Sequence, residues 1–176
     1  MLILSSFTDF IKKYDLFASH HQILLAVSGG KDSVLMTHLF KNSGFNFGIA
    51  HCNFNLRDHE AQRDEAFVKQ LAATLNVPFF VKQFDTLTYA DQNQLSTQIA
   101  ARTLRYEWFE HLRQTEGYDF IALAHHQNDS VETLLLNLVR GTGISGLHGI
   151  LPKRDFLVRP LLFLSRQQID EAVSYT

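Results

Sequence analysis

Two glycines flanked by hydroxyls and charges stand at Ser28-Gly29-Gly30-Lys31-Asp32-Ser33, between the apolar run ILLAV (23–27) and a segment of helical periodicity (34–40). A buried strand running through such a turn into a helix makes a cradle for an oxyanion. Glycine lets backbone approach the ligand, and the helix N-terminus offers unpaired N–H groups and the positive end of its dipole. Lys31 adds a cation, and Ser28 and Ser33 add hydroxyl donors. The loop is too short for GxxxxGK[ST] and lacks the spacing of GxGxxG. Two bare glycines alone would read as a plain strand-to-helix turn; the whole hexapeptide in this setting reads as a phosphate site.

Four further segments carry polar chemistry: His51-Cys52-Asn53-Phe54-Asn55-Leu56-Arg57, the ARTLRY run 101–106, HHQNDSVET (125–133), and RGTGISGL (140–147) followed by RPLL (159–162). Asp129 and Glu132 are three apart on an expected helix and so share a face. Arg102 and Arg105 share another, which reads equally as an exposed basic surface. Asp129 could serve only to stabilise the start of its helix. His125, His126, Asp129 and Glu132 could form a metal site, although neighbouring helical histidines point apart.

Elements must hold these segments in register. Phe7, Phe10, Ile11 and Tyr14 predict an amphipathic first helix. Strands are expected at 23–27, 45–50, 79–81 and 120–124, with a weaker fifth near 156–158. Helices are expected at 34–40, through Phe67–Leu75, through Ile99–Leu112, from Val131 to a stop at Gly141, and after Ser165. The polar, aperiodic stretch 85–94 reads as an exposed loop. Strands alternating with helices imply right-handed crossovers and a parallel α/β sheet of about five strands with helices on both faces. Ser28, His51 and His125 each follow an expected strand. The carboxyl ends of a parallel sheet are where ligands sit, so the three clusters should converge.

Composition narrows the classes. The 176 residues, 45% hydrophobic and 19% charged, suit one domain with a real core. No run reaches the roughly 18 apolar residues of a membrane span. The N-terminal stretch carries Asp9, Lys12 and Lys13 within its apolar pattern and reads as a helix, not a leader. Cys52 is the single cysteine, which excludes an internal disulfide, a cysteine-cluster zinc site and a two-cysteine sulfur relay, and fits a reducing cytoplasm. A net charge of −2 neither advertises nor excludes a nucleic-acid partner. The last helix has no closing signal, so the chain is expected to be a fragment of a longer protein.

SGGKDS resembles the SGGxDS pyrophosphatase loop of the ATP-pyrophosphatase superfamily. With the HCNFNLR, ARTLRY, HHQNDSVET, RGTGISGL and RPLL segments in this order, residues 23–162 resemble the tRNA(Ile)-lysidine synthase family. Phe54 stands where that pattern has a second histidine, and Asn128 where it has the first of two aspartates. The resemblance implies an adenine nucleotide alpha hydrolase-like, Rossmann-like fold over residues 1–176, forming an ATP-pyrophosphatase catalytic domain that lacks C-terminal tRNA-binding domains. It implies ATP and Mg²⁺ as cofactors, with tRNA(Ile) bearing a wobble cytidine and free L-lysine as partners, no membrane, and a homodimer left open. ATP would meet Ser28, Gly29, Gly30, Lys31, Asp32, Ser33, His51 and Asn53, the last two alternatively only shaping their loop. Asp32 would hold the metal, Asp129 and Glu132 the amine, and Arg105 a phosphate or the activated base. Arg140, Lys153, Arg154 and Arg159 would form a phosphate-binding edge for tRNA or a solvated surface. Other superfamily enzymes, such as a tRNA thiolase, and a non-hydrolysing nucleotide sensor remain the competing readings.

Overall fold

The computed structural model describes residues 2–56, 58–139 and 149–174. The elements run α1 (Leu2–Lys13), β1 (Gln22–Ala26), α2 (Lys31–Asn42), β2 (Asn46–Asn53), α3 (Asp58–Leu75), β3 (Phe79–Gln83), α4 (Thr86–Gln92), α5 (Thr97–Glu116), β4 (Phe120–Ala122), α6 (Gln127–Val139), β5 (Lys153–Arg154), β6 (Leu157–Val158) and α7 (Arg166–Ser174). One sheet has the order β3-β2-β1-β4-β6-β5. Every pairing is parallel except β5 with β6. The expected fifth strand is β6, and the sixth is its two-residue antiparallel edge partner.

Burial on both faces explains the unbroken apolar run of β1, since alternate residues serve opposite cores. Ile23, Leu25 and Val27 join a cluster with Phe7 and Ile11 of α1, Met36 and Phe40 of α2, Val68 of α3 and Ile169 of α7. Leu24 faces the other way, into Trp108, Phe109 and Leu112 of α5 with Phe84 and Tyr118. Seven of the phenylalanine contacts run among Phe7, Phe17, Phe40, Phe45, Phe47 and Phe120, so the aromatic load is core.

Two expectations are corrected. The stretch 85–94 is not a bare loop but holds α4, whose N-cap Asp85 accepts the Thr88 N–H at 3.1 Å; seven residues are too few to display a helical period. β2 runs to Asn53, so His51 lies inside a strand and not after it. The helix expected from Val131 is present as α6, with Val131, Leu135, Leu138 and Val139 all more than half exposed. The expected stop at Gly141, with Arg140 and the rest of RGTGISGL, lies outside the described residues, as does Arg57.

Candidate active site

Strand order reverses at β1, which has β2 on one side and β4 on the other. The crevice between the carboxyl ends of β1 and β4 is therefore the switch point, where helices depart to opposite faces and leave a gap. The glycine loop closes one side of it. Gly29 has φ +95°, and a Cβ there would stand 3.4 Å from Cβ of Asp64 on α3. Left-handed backbone and close approach together demand glycine. Gly30 is extended and caps α2. The Ser33 hydroxyl donates to the Gly30 carbonyl at 2.8 Å, while Ser33 Oγ accepts the Ser28 N–H at 3.2 Å. Ser28 Oγ accepts the Gly30 N–H at 3.3 Å. The Ser33 hydroxyl thereby also braces the loop from within. The first-turn N–H groups of Lys31, Asp32 and Ser33 have no intrahelical carbonyl to meet.

Above the crevice lies a cavity of about 340 Å³. Ser28, Gly30, Asp32 and Ser33 line its polar side; Ala26, Ala50, Cys52, Phe54, Phe109 and Leu123 line its apolar side. Polar loop and flat apolar wall together suit a nucleotide. Burial pushes the Cys52 thiol up to about 12, so this wall is uncharged and the thiol is no nucleophile at neutral pH. Arg105 enters over the Phe54 ring, 5.1 Å from its centroid. Phe54 in turn stacks on Phe84 at 5.5 Å. The departure at Phe54 thereby gives Arg105 a cation–π seat without a competing charge.

A second cavity of about 350 Å³ adjoins the first, and Tyr106 and His125 line both. Asp129 and Glu132 line it together with Arg102 and Arg159. Loss of water around the ring and the Arg159 charge lower the His125 pKa to about 4, so a neutral imidazole separates the cavities at physiological pH. The modest reading of Asp129 also holds in part: its Oδ2 accepts the His126 backbone N–H at 2.8 Å, capping α6. Its place on the cavity wall is additional.

His126, considered in the sequence only as part of a metal set, is buried between two expected site residues. Its Nε2 lies 3.9 Å from Asp32 Oδ2 and its Nδ1 3.5 Å from Asp129 Oδ2. The alternative metal set of His125, His126, Asp129 and Glu132 is overturned: among the described residues no group of three or more such side chains could hold an ion. Asp32 Oδ1 is buried without a hydrogen-bond partner in the structure. Lys31 lies at the loop but pairs with Asp170 of α7.

The β2 residues tie local structure together. The His51 Nδ1–H donates to the Val27 carbonyl at 2.8 Å, tying β2 to the entry of the loop. Asn53 donates to Glu65 at 2.8 Å and accepts the Asn55 N–H at 3.0 Å. Both line a side cavity with Ser28 and Asp64, but their bonds serve the loop after β2. These bonds match the loop-shaping alternative read for His51 and Asn53 in the sequence. Asn128, the second departure, also has a definite post: its Oδ1 accepts the Arg166 N–H at 3.0 Å. Lys153 is drawn away from any shared basic edge, since its ammonium donates to the Asp15 carbonyl at 2.7 Å.

Known proteins agree with this geometry. The sequence profile of the PP-loop domain family matches residues 3–176. A tRNA(Ile)-lysidine synthase of Parabacteroides distasonis is 48% identical over 160 residues, covering 91% of this chain and 36% of the relative. One from Bacteroides thetaiotaomicron is 46% identical, covering 91% and 38%. The chain thus spans little more than a third of the length of these curated relatives. Among solved structures, a U34-tRNA thiolase from Methanococcus maripaludis superposes with a TM-score of 0.76 at 17% identity, covering 98% of this chain and 62% of the other. At that identity the likeness speaks for the fold alone. The glycine loop at the strand switch, its helix, and a profile running nearly end to end together establish that the chain belongs to the PP-loop domain family.

Proposed function

We propose that this chain is the ATP-splitting catalytic domain of a tRNA(Ile)-lysidine synthase, modifying the wobble cytidine of tRNA(Ile) with free L-lysine. Membership of an ATP-using family implies ATP binding, and the 340 Å³ cavity is its natural seat. The observation that carries the finer reading is the pair of cavities sharing the Tyr106–His125 wall. A nucleotide-sized space with an oxyanion loop lies beside a space lined by both carboxylates and guanidinium groups. The second space suits an amino acid: Asp129 and Glu132 meet the side-chain ammonium, and Arg102 and Arg159 meet the carboxylate.

In the reaction, O2 of the cytidine attacks the α-phosphorus, and the bond from that phosphorus to pyrophosphate breaks. The N–H groups of the loop and Lys31 meet the charge that builds on the leaving oxygens. Lysine's amine, having given a proton to a carboxylate, then attacks C2, and AMP leaves with the oxygen. Asp129 and Glu132 hold the ammonium, and Arg105 sits where it neutralises the adenylated base. The unpartnered Oδ1 of Asp32 fits a hard cation. Mg²⁺ takes one or two carboxylates together with phosphate oxygens and water, and when bound it supplies positive charge for the leaving group. Parts of a full-length relative outside the matched third would grip the tRNA. Within this chain a sulfur-transfer reading is disfavoured, because its single thiol is held protonated.

The test uses the full-length protein, unmodified tRNA(Ile), ATP, Mg²⁺ and labelled lysine. Label should enter the tRNA as pyrophosphate is released. Asp32→Ala should abolish both, whereas Asp129→Ala should suppress incorporation by about 100-fold, as for a lost general base. Pyrophosphate release without lysine incorporation would move the protein to another branch of the family.

A further inference from the structure

Helix α7 lies 130 residues beyond the glycine loop in sequence and packs against α2. It brings two charges to the loop. Asp170 pairs with Lys31. The Arg166 guanidinium stands 3.9 Å from Asp32 Oδ2. The start of α7 is stitched to the start of α6 by three bonds: Asn128 Oδ1 accepts the Arg166 N–H at 3.0 Å, the Gln127 N–H donates to the Leu164 carbonyl at 2.9 Å, and the Gln127 side chain donates to the Phe163 carbonyl at 3.2 Å. Ile169, fully buried, anchors the helix in the core. Arg166 and Asp170 are four apart, so both project on the same side, toward the loop.

Within the chain both cations at the loop are matched: Lys31 by Asp170 and Arg166 by Asp32. Each pair is part-exposed and so is weakly held. A polyphosphate carries more negative charge than either carboxylate and arrives with several acceptor oxygens, so it competes successfully for both cations. If Asp32 turns to a metal ion, its claim on Arg166 also weakens.

We propose that α7 forms a third wall of the phosphate site. Arg166 is a binding residue for the pyrophosphate end of ATP, Asn128 positions it, and Asp170 holds Lys31 until the polyphosphate displaces it. This rests on the reading of the glycine loop as the seat of the ATP phosphates. It assigns a role to Asn128 that depends on its being an acceptor and not on its charge.

The test measures binding of ATP, AMP and inorganic pyrophosphate to the full-length protein by titration calorimetry. Arg166→Ala should weaken ATP and pyrophosphate by about tenfold or more, the usual consequence of losing a charge-assisted bond, and leave AMP within about twofold. Asp170→Asn should act in the opposite direction, tightening pyrophosphate severalfold by freeing Lys31. Asn128→Ala should weaken ATP but not AMP, and Asn128→Asp, which keeps the acceptor, should restore most of the loss. Equal losses for ATP and AMP, or losses of the same sign in Arg166→Ala and Asp170→Asn, would reduce α7 to a packing element and overturn the proposal. Failure of the wild-type protein to bind pyrophosphate or ATP would instead bring down the reading of the loop itself, and this proposal with it.

Discussion

His125 shows how one side chain ties stability to the site. Its imidazole is desolvated, its Nδ1 has no hydrogen-bond partner in the structure, and Arg159 repels its proton. The folded chain therefore lowers its pKa from 6.5 to about 4. As pH falls below 6.5 the unfolded chain takes up a proton that the folded chain refuses, so stability is lost between pH 6.5 and 4 and is unaffected by this group below that range. From pH 7 to pH 5 the loss amounts to at most about 2 kcal/mol. Urea denaturation at the two pH values should show this slope in the wild type and a much smaller one in His125→Gln. A wild-type slope no steeper than that of the variant would mean the ring is wetter than its position between two cavities implies. Under the proposed function the same neutrality would serve the chemistry, since an imidazolium there would repel an ammonium held by Asp129 and Glu132.

Between elements, the lacing of β2, α3 and β3 decides whether the cavity floor keeps its shape. Asn53 at the end of β2 donates to Glu65 of α3, which also accepts from Gln83 of β3 at 3.1 Å. Asn53 is 2% exposed, so removing its amide leaves buried groups short of partners. Asn53→Ala should lower unfolding free energy by about 1–3 kcal/mol, read from the urea midpoint, whereas Asn53→Asp should fare no better because it loses the donor to a carboxylate. The long elements were legible because their patterns are long: α5 carries Ser96 as its N-cap, Gly117 in a left-handed C-cap and a period that buries Ala100, Trp108 and Leu112. α4 was not, since seven residues barely complete two turns. On α6 the periodicity marked the helix, although Val131, Leu135, Leu138 and Val139 stand more than half exposed on it. The glycine loop was legible from local spacing, and Asp129 and Arg105 from the motifs around them, whereas Arg166 and Asp170, which the proposal above adds to the loop, were not. Nothing near them in sequence marks a phosphate site, and only the turn of the chain around the β4–β6 edge carries α7 back over α2.

On the scale of the whole molecule, the nucleotide cavity draws its walls from both cores. Val27 belongs to the cluster under α1, α2 and α7, while Phe109 and Leu123 belong to the one under α5. A ligand in the crevice therefore bridges the two layers that the sheet separates, and its binding energy opposes separation of either from the sheet. Folding and binding should be linked as for a single cooperative unit. ATP with Mg²⁺ at 100 times its dissociation constant adds about 2.7 kcal/mol to unfolding. For a chain of this size that corresponds to a rise in Tm of roughly 5–10 °C. Trp108, the single tryptophan, lies in the α5 core beside Phe109, whereas far-ultraviolet circular dichroism sees helices of both layers. The midpoints by tryptophan fluorescence and by dichroism should rise together on adding ATP, and by less with AMP, which leaves the pyrophosphate end of the loop unfilled. A shift seen by tryptophan alone would mean that the α5 layer melts separately, and that the crevice binds its ligand without joining the two cores.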